Sequence, residues 1–333
     1  MSFCGSDVGG FIGHPEDELF VRWYQAAAYQ PFFRSHAEIG SPRREPYLLP
    51  KASLDIVRDA IRRRYALLPL WYTMFYEHER NGSPVMRPML SEFPLDKSAF
   101  KIDDQFMLSD RLLVRPVMVK GATEVNVYFP STDGAFESDM WYDSDDYSTI
   151  STVGSKAIKV DANKIPVYQR GGTIVPKKET VRNSSALMHD DPYTLIVALD
   201  KQRHAHGTVF IDDEKSFDYR RGKYLYINFE FHDSKLSLQF IDNANYTTNS
   251  KLEKVVVAGL EYIPKTATLQ SKDGTMTNLE IKEADDVSFV IKASDVSLMN
   301  EWTITVSGAV HNILCGSLLV TVMMAHFIRR ITE

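Results

Sequence analysis

Apolar residues recur at helical spacing in two places near the start of the chain. Pro15 followed by EDELFVRWYQAAAY reads as a helix start: proline is tolerated in a first turn, acids sit at the positive end of the dipole, and apolar positions return every three or four residues. A longer segment from Ser53 to Arg80 places Leu54, Val57, Ile61, Leu68, Trp71 and Phe75 on one face. Pro69 within it predicts a kink or a break into two helices, and Asn81 with Gly82 supplies the stop. Ahead of the first helix, the apolar Met1–Cys4 passes into GSDVGGF, as a strand does on entering a loop. After it, Pro31 breaks the helix and PFFRSHAE opens a second strand-like run.

From about Ile102 the pattern changes to short β-rich runs (LLVRPVMV, EVNVYFP, TLIVAL, GTVFID, KYLYINFEF, KVVVAGL) separated by Gly, Asp, Asn and Pro turns, the spacing of antiparallel sandwiches. Strand, helix, strand, long helix is the order of the last two units of a parallel barrel, whose functional face is built from the loops after the strands. The expected fold class is therefore α/β plus all-β. Residues 1–95 form the last strand/helix units of a (β/α)8 barrel, 96–180 a proximal antiparallel β-sandwich, 181–306 a distal one, and 307–333 an atypical apolar tail. The polar stretch from Lys177 to Asp191 is the best internal boundary, and it reads equally as a long surface loop.

Composition changes this picture little. With 333 residues and 44% hydrophobic content the chain can bury more than one core, and the net charge of −6, spread without long runs, argues against a nucleic-acid surface. Two cysteines, Cys4 and Cys315, give neither a disulfide framework nor a zinc pattern. The opening MSFCGSDVGG lacks the basic region and apolar core of a secretory leader, and Met1 fits an internal methionine. Asn183 and Asn245 begin N-x-S/T triplets, and Asn81 a weaker one followed by Pro84.

Candidate chemistry gathers at the two strand ends. In GSDVGGF, Asp7 stands beside glycines that let backbone approach a ligand, with Phe11 as an apolar platform; a tight turn with a structural aspartate fits the same residues. Arg34 and His36 alternate along the second strand, so both side chains are expected to point toward the barrel mouth, although a lone histidine also fits a structural role. Together the four make a polar cup for a neutral, hydroxyl-rich ligand. Asp212, Asp213 and Glu214 invite a calcium reading, but acids clustered in sequence fit a solvated turn and the spacing is not that of an EF-hand, so no metal is assigned.

The series GSDVGGF, VRWYQAAAYQPFFRSHA, RREPYLL, RYALLPLWYTMFYEHERNGSPVMRPM, IDDQFML and PVYQRGGTIVP resembles, in this order, the C-terminal part of glycoside hydrolase family 31 α-glucosidases, over residues 1 to about 306. Within that family, VRWYQAAAYQPFFRSHA, RREPYLL and PVYQRGGTIVP are most similar to the catalytic α-subunits of glucosidase II. The resemblance implies a retaining, exo-acting hydrolase that removes α-linked glucose, one carboxylate attacking the anomeric carbon while a second protonates the leaving oxygen and then activates water. Its nucleophile motif, of the Trp-x-Asp-Met-Asn-Glu type, and its Gly-Asp-Asn acid/base motif are both missing from the 333 residues, so no catalytic residue is assigned and no turnover is expected of the chain alone.

Carried over by the resemblance, Phe11 lines the pocket of the glucose being released and His36 hydrogen-bonds its hydroxyls. Asp7 and Arg34 support the pocket loops through charge-assisted bonds. Cys4 matches a position that pairs with a cysteine on a preceding segment outside this sequence. VFIDDEKSFDYRRGKY matches a turn-rich signature of the distal β-domain. The resemblance requires no cofactor and implies an α-glucoside or glucosylated N-glycan as substrate, a non-catalytic β-subunit as partner, and the endoplasmic reticulum lumen as location.

After NEWTITV the likeness stops. The apolar core from Ile313 to Ala325 falls short of the roughly 20 residues a membrane span needs, contains Gly316, Ser317 and Thr321, and reads as an unpacked tail rather than a membrane helix. The competing class is a non-catalytic β-sandwich module that binds carbohydrate or another subunit.

Overall fold

The computed structural model describes residues 2–132, 139–242, 245–283 and 287–310. The apolar segment at Ile313–Ala325, and Cys315 with it, lie outside the described residues. Two short strands, β1 (Asp7–Val8) and β2 (Arg34–Ser35), pair in parallel with Asp7 opposite Arg34. Between them runs α1 (Asp17–Ala27), with Asp17 and Glu18 in its first turn and Phe20, Val21, Tyr24 and Ala27 buried at helical spacing. These pack with Val8 and with Val57 of the next helix into a small core. The first strand therefore begins at Asp7 rather than in Met1–Cys4, and the second ends before His36.

The long helical segment divides into α2 (Lys51–Ala66) and α3 (Leu68–Asn81), broken at Leu67 just ahead of Pro69. Gly82, in the left-handed region at φ 75°, closes α3 by donating its N–H to the His78 carbonyl at 2.9 Å. The break rephases the apolar stripe. Leu67, Leu70, Trp71 and Met74 are buried, while the expected Leu68 and Phe75 are only partly so.

The chain then builds β3 (Met86–Pro88), α4 (Met89–Glu92), β4 (Phe106–Leu108), β5 (Leu112–Val114), β6 (Glu124–Phe129), β7 (Trp141–Asp143), β8 (Thr149–Ile150), β9 (Gly154–Lys159) and β10 (Val167–Arg170). Six of the strands form one sheet in the order β3-β4-β5-β10-β7-β8, and β6 pairs with β9 separately. Val127 and Phe129 of that pair pack with Met107, Leu113, Trp141 and Tyr168 of the six-stranded sheet. Phe106, Leu108, Leu112 and Val114 meet Leu67, Leu70, Trp71 and Met74 of the helices and Val175, Ile196 and Val256 of the strands that follow. One core thus joins all three parts of the molecule.

Those following strands are β11 (Thr173–Lys177), β12 (Tyr193–Ala198), β13 (Ala205–Ile211), β14 (Leu225–His232), β15 (Lys235–Phe240), β16 (Lys251–Ala258), β17 (Ile263–Ser271), β18 (Met276–Glu283), β19 (Ser288–Ser297) and β20 (Trp302–Val310). Over the expected distal β-domain the strands pair as one closed, barrel-like ring of ten, β11-β12-β16-β19-β18-β17-β20-β15-β14-β13, which includes a strand ahead of the Lys177–Asp191 stretch. Two of its pairings are parallel, β12 with β16 and β11 with β13. Closure depends on a tight approach beside Gly207. A Cβ there would stand 2.3 Å from the Ile174 carbonyl oxygen, and at the next residue Thr173 pairs with His206. The reason for closing is physical: a ring leaves no open row of unpaired backbone groups.

Candidate functional site at the barrel mouth

Four loops and strand ends converge beyond β1 and β2. After Val8 the chain turns sharply, with Gly10 donating its N–H to the Asp7 carbonyl at 2.9 Å and Gly9 and Gly10 both at φ 87°. Glycine is required at Gly9 twice over, because a Cβ would stand 2.6 Å from the Phe20 ring as well as being strained. The turn delivers Phe11 to the surface, 45% exposed. Its ring lies 5.6 Å from the ring of the exposed His36, tilted by 32°.

Arg34 turns to a different partner. Its Nε and Nη2 donate to Asp7 Oδ1 at 3.2 and 2.7 Å, across the paired positions of the two strands. The four residues singled out in the sequence are thus brought together as two pairs, a charged one spanning the strands and an aromatic one past their ends. The alternation that was to aim Arg34 and His36 the same way does not operate, because β2 ends at Ser35.

Two residues missed by sequence reasoning hold the loops. Arg44 is buried and donates to the carbonyls of Gly9 at 3.2 Å, of His36 at 2.8 Å, and of Gly10. Glu38 receives the Gly13 N–H on Oε1 at 3.1 Å, while its own N–H donates to the Phe11 carbonyl at 3.0 Å. Arg44 belongs to the RREPYLL run, which was the one available signal. Chemically the arrangement offers an apolar ring, an imidazole and fixed backbone. The Asp7 carboxylate is engaged by Arg34 and the Glu38 carboxylate by Gly13, so both act as braces.

The Asp212–Glu214 run lies elsewhere, where α3 docks on the ring. Asp212 is buried and its Oδ1 accepts from the Tyr72 hydroxyl at 2.7 Å and the Glu214 N–H at 2.8 Å, with burial raising its carboxyl above the usual range. Asp213 accepts from the N–H groups of Ser216 and Lys215, and bonding to Ser216 above all lowers its carboxyl to about 2. Tyr76 stacks on Phe210 beside them at 3.8 Å. The acids therefore serve a turn and a docking contact. Among the described residues no group of three His, Cys, Asp or Glu side chains is placed to hold a metal, and none of the helices is long and apolar enough to cross a membrane.

Comparison with known proteins gives the class. Residues 1–74 match the model described as the glycosyl hydrolases family 31 TIM-barrel domain and residues 82–175 that of the family 31 C-terminal domain, so the chain belongs to glycoside hydrolase family 31. It is 44% identical over 308 residues to neutral alpha-glucosidase AB of Dictyostelium discoideum, and 43% identical over 307 residues to that of Homo sapiens. These alignments take in 88% and 91% of this chain but 32% of each relative, so the chain spans about a third of the length of the curated relatives it matches. Among solved structures it aligns with the catalytic subunit in an ER glucosidase II heterodimeric complex that includes the binding domain of the regulatory subunit. The TM-score is 0.85 at 35% identity, over 91% of this chain and 34% of that one. A Glc1Man2-bound glucosidase II alpha subunit aligns with a TM-score of 0.83, at the same identity and coverage.

Proposed function

We propose that this chain is the C-terminal part of a retaining, exo-acting α-glucosidase that trims glucose from glucosylated N-glycans in the endoplasmic reticulum lumen, alongside a non-catalytic β-subunit. The observation that carries the reading is the pairing of Phe11 with His36 at the ends of two adjacent parallel strands, where the barrel face takes its ligand. In this reading the Phe11 ring packs on the apolar side of the glucose being released and His36 bonds its hydroxyls. Asp7, Arg34, Arg44 and Glu38 keep the two contacts in position. Cleavage needs two carboxylates about 5–5.5 Å apart on either side of the scissile bond; their motifs are missing from the 333 residues, so the chain supplies walls of the cavity and not the chemistry. Asn183 and Asn245 are both exposed, which suits N-glycosylation in the same compartment.

The test is to join the chain to an upstream family 31 segment carrying both aspartate motifs and to measure glucose release from an α-glucoside. Phe11→Ala and His36→Ala are each expected to lower kcat/KM about tenfold or more, the size of a lost hydrogen bond or packed ring in a closed site. Unchanged kcat/KM in both variants would remove the reading. A second reading, a free-standing module that binds carbohydrate or a subunit, is favoured by the ring's own large core of Leu195, Ile227, Phe229, Leu238, Ile291 and Ile304. Calorimetric binding of glucose oligomers by a monomeric chain would put it first.

A further inference from the structure

On one outward face the ring carries three histidines that take no part in the barrel mouth. β13 and β14 are antiparallel, with Ala205 opposite Phe231 and His206 opposite Glu230, so the same register carried one residue back puts His204 opposite His232. Ala205 and Phe231 are buried in the ring core, and alternation therefore turns His204, His206, Glu230 and His232 outward together. The His204 ring lies 6.5 Å from that of His206 and 6.0 Å from that of His232. His204 Nε2 is 3.2 Å from Glu230 Oε1, and its Nδ1 is 4.0 Å from Asp200 Oδ2. The other Asp200 oxygen accepts the N–H groups of Gln202 and His204 at 2.9 and 2.8 Å and so fixes the turn that presents the imidazole.

We propose that this face of the β13–β14 hairpin is a binding site for one divalent transition-metal ion of the zinc class, held by His204, His206, His232 and Glu230. Ligand atoms bound at about 2.0–2.1 Å to a tetrahedral ion stand roughly 3.3 Å from one another. His204 Nε2 and Glu230 Oε1, joined by a hydrogen bond at 3.2 Å, already stand at about that separation, and a bound ion would replace the shared proton. Asp200 Oδ2, 4.0 Å from His204 Nδ1, is one small rotation away from the carboxylate position that orients a metal-bound imidazole through its second nitrogen. Imidazole and carboxylate donors suit zinc, copper or nickel, whereas calcium and magnesium prefer all-oxygen sets.

Among the described residues no three donors are closed around a common point as they stand. Closing the array takes rotation of His206 and His232, both exposed. His232 must leave Asp233, whose carboxylate is 3.3 Å away and 81% exposed, a contact of little worth in water. Lys235 stands opposite His232 on β15, and its flexible stem lets the ammonium swing clear.

The experiment is titration calorimetry of zinc chloride into the full chain with any affinity tag removed, checked by equilibrium dialysis. One equivalent is expected to bind in the micromolar range. His204→Asn or Glu230→Gln should weaken it about tenfold or more, while His14→Asn, an exposed histidine ahead of α1, should leave it unchanged. Metal-free melting midpoints serve as the folding control and are expected to match wild type, since the altered side chains face outward. Less than half an equivalent retained at millimolar zinc, or full binding by the doubly substituted His204→Asn, His206→Asn chain, would overturn the proposal.

Discussion

Each of the ten strands of the ring has a hydrogen-bonded neighbour on both sides, whereas β1 and β2, two residues each, have only one another among the described residues. The ring encloses a continuous apolar core. The barrel segment leaves Phe3, Ile12 and Ile39 more than half exposed and is held at its mouth by side chains reaching backbone carbonyls. The difference separates two jobs. Fold stability resides in the ring and in the core shared with α2 and α3, while the proposed function puts ligand recognition in loops that depend on a few clamps for their shape.

The comparison breaks if the two regions respond alike to substitution. The largest effect is expected from Phe229→Ala in the ring core, at about 3–5 kcal/mol, read as a fall in the denaturant midpoint. Next comes a pH effect at the junction. Lys178 donates to the carbonyls of Met188 and His189 at 2.9 and 2.7 Å, and burial lowers its ammonium to about 8 from 10.5. Because the unfolded chain holds this proton to higher pH than the folded one, stability gains from Lys178 as pH rises from 8 toward 10. Melting at pH 7.5 and 9.5 should show that gain in wild type, and less of it in Lys178→Met.

Smaller still is Arg44→Met, expected to cost about 1–3 kcal/mol through carbonyls left unpaired. Its signature is local, with faster hydrogen exchange at the Gly13 and Glu38 amides and ring amides unchanged. Arg34→Ala should cost under about 1 kcal/mol, since the Arg34 side chain is 54% exposed. Phe11→Ala and His36→Ala should move the midpoint by no more than about 0.5 kcal/mol. A large loss of stability in either would make them structural residues and remove the distinction between the regions.

How much of this could be read in advance follows the range of the interactions. Local signals worked: the acids at the start of α1, the stop at Gly82 and the interruption near Pro69 all act within a turn of helix. The rephasing that buries Leu67, Leu70 and Met74 was not legible, because a break resets the helical period by an amount that packing decides. Ring closure rests on Gly207 meeting Ile174, 33 residues earlier in the chain, and a glycine in a strand pattern does not name its neighbour. At the mouth, Phe11, His36, Asp7 and Arg34 stood out by residue type and position. Arg44 did not, since its partners are carbonyls 8 and 35 residues away, and carbonyls leave no mark in a sequence.

In the proposed function, Phe11 and His36 wall a sugar cavity whose cleaving carboxylates are supplied by other polypeptide. This is tested most directly by incubating the purified 333-residue chain with a chromogenic α-glucoside and measuring release against a blank. No turnover is expected. Release above the blank that disappears in His36→Ala, and so comes from this chain and not from a contaminant, would contradict it.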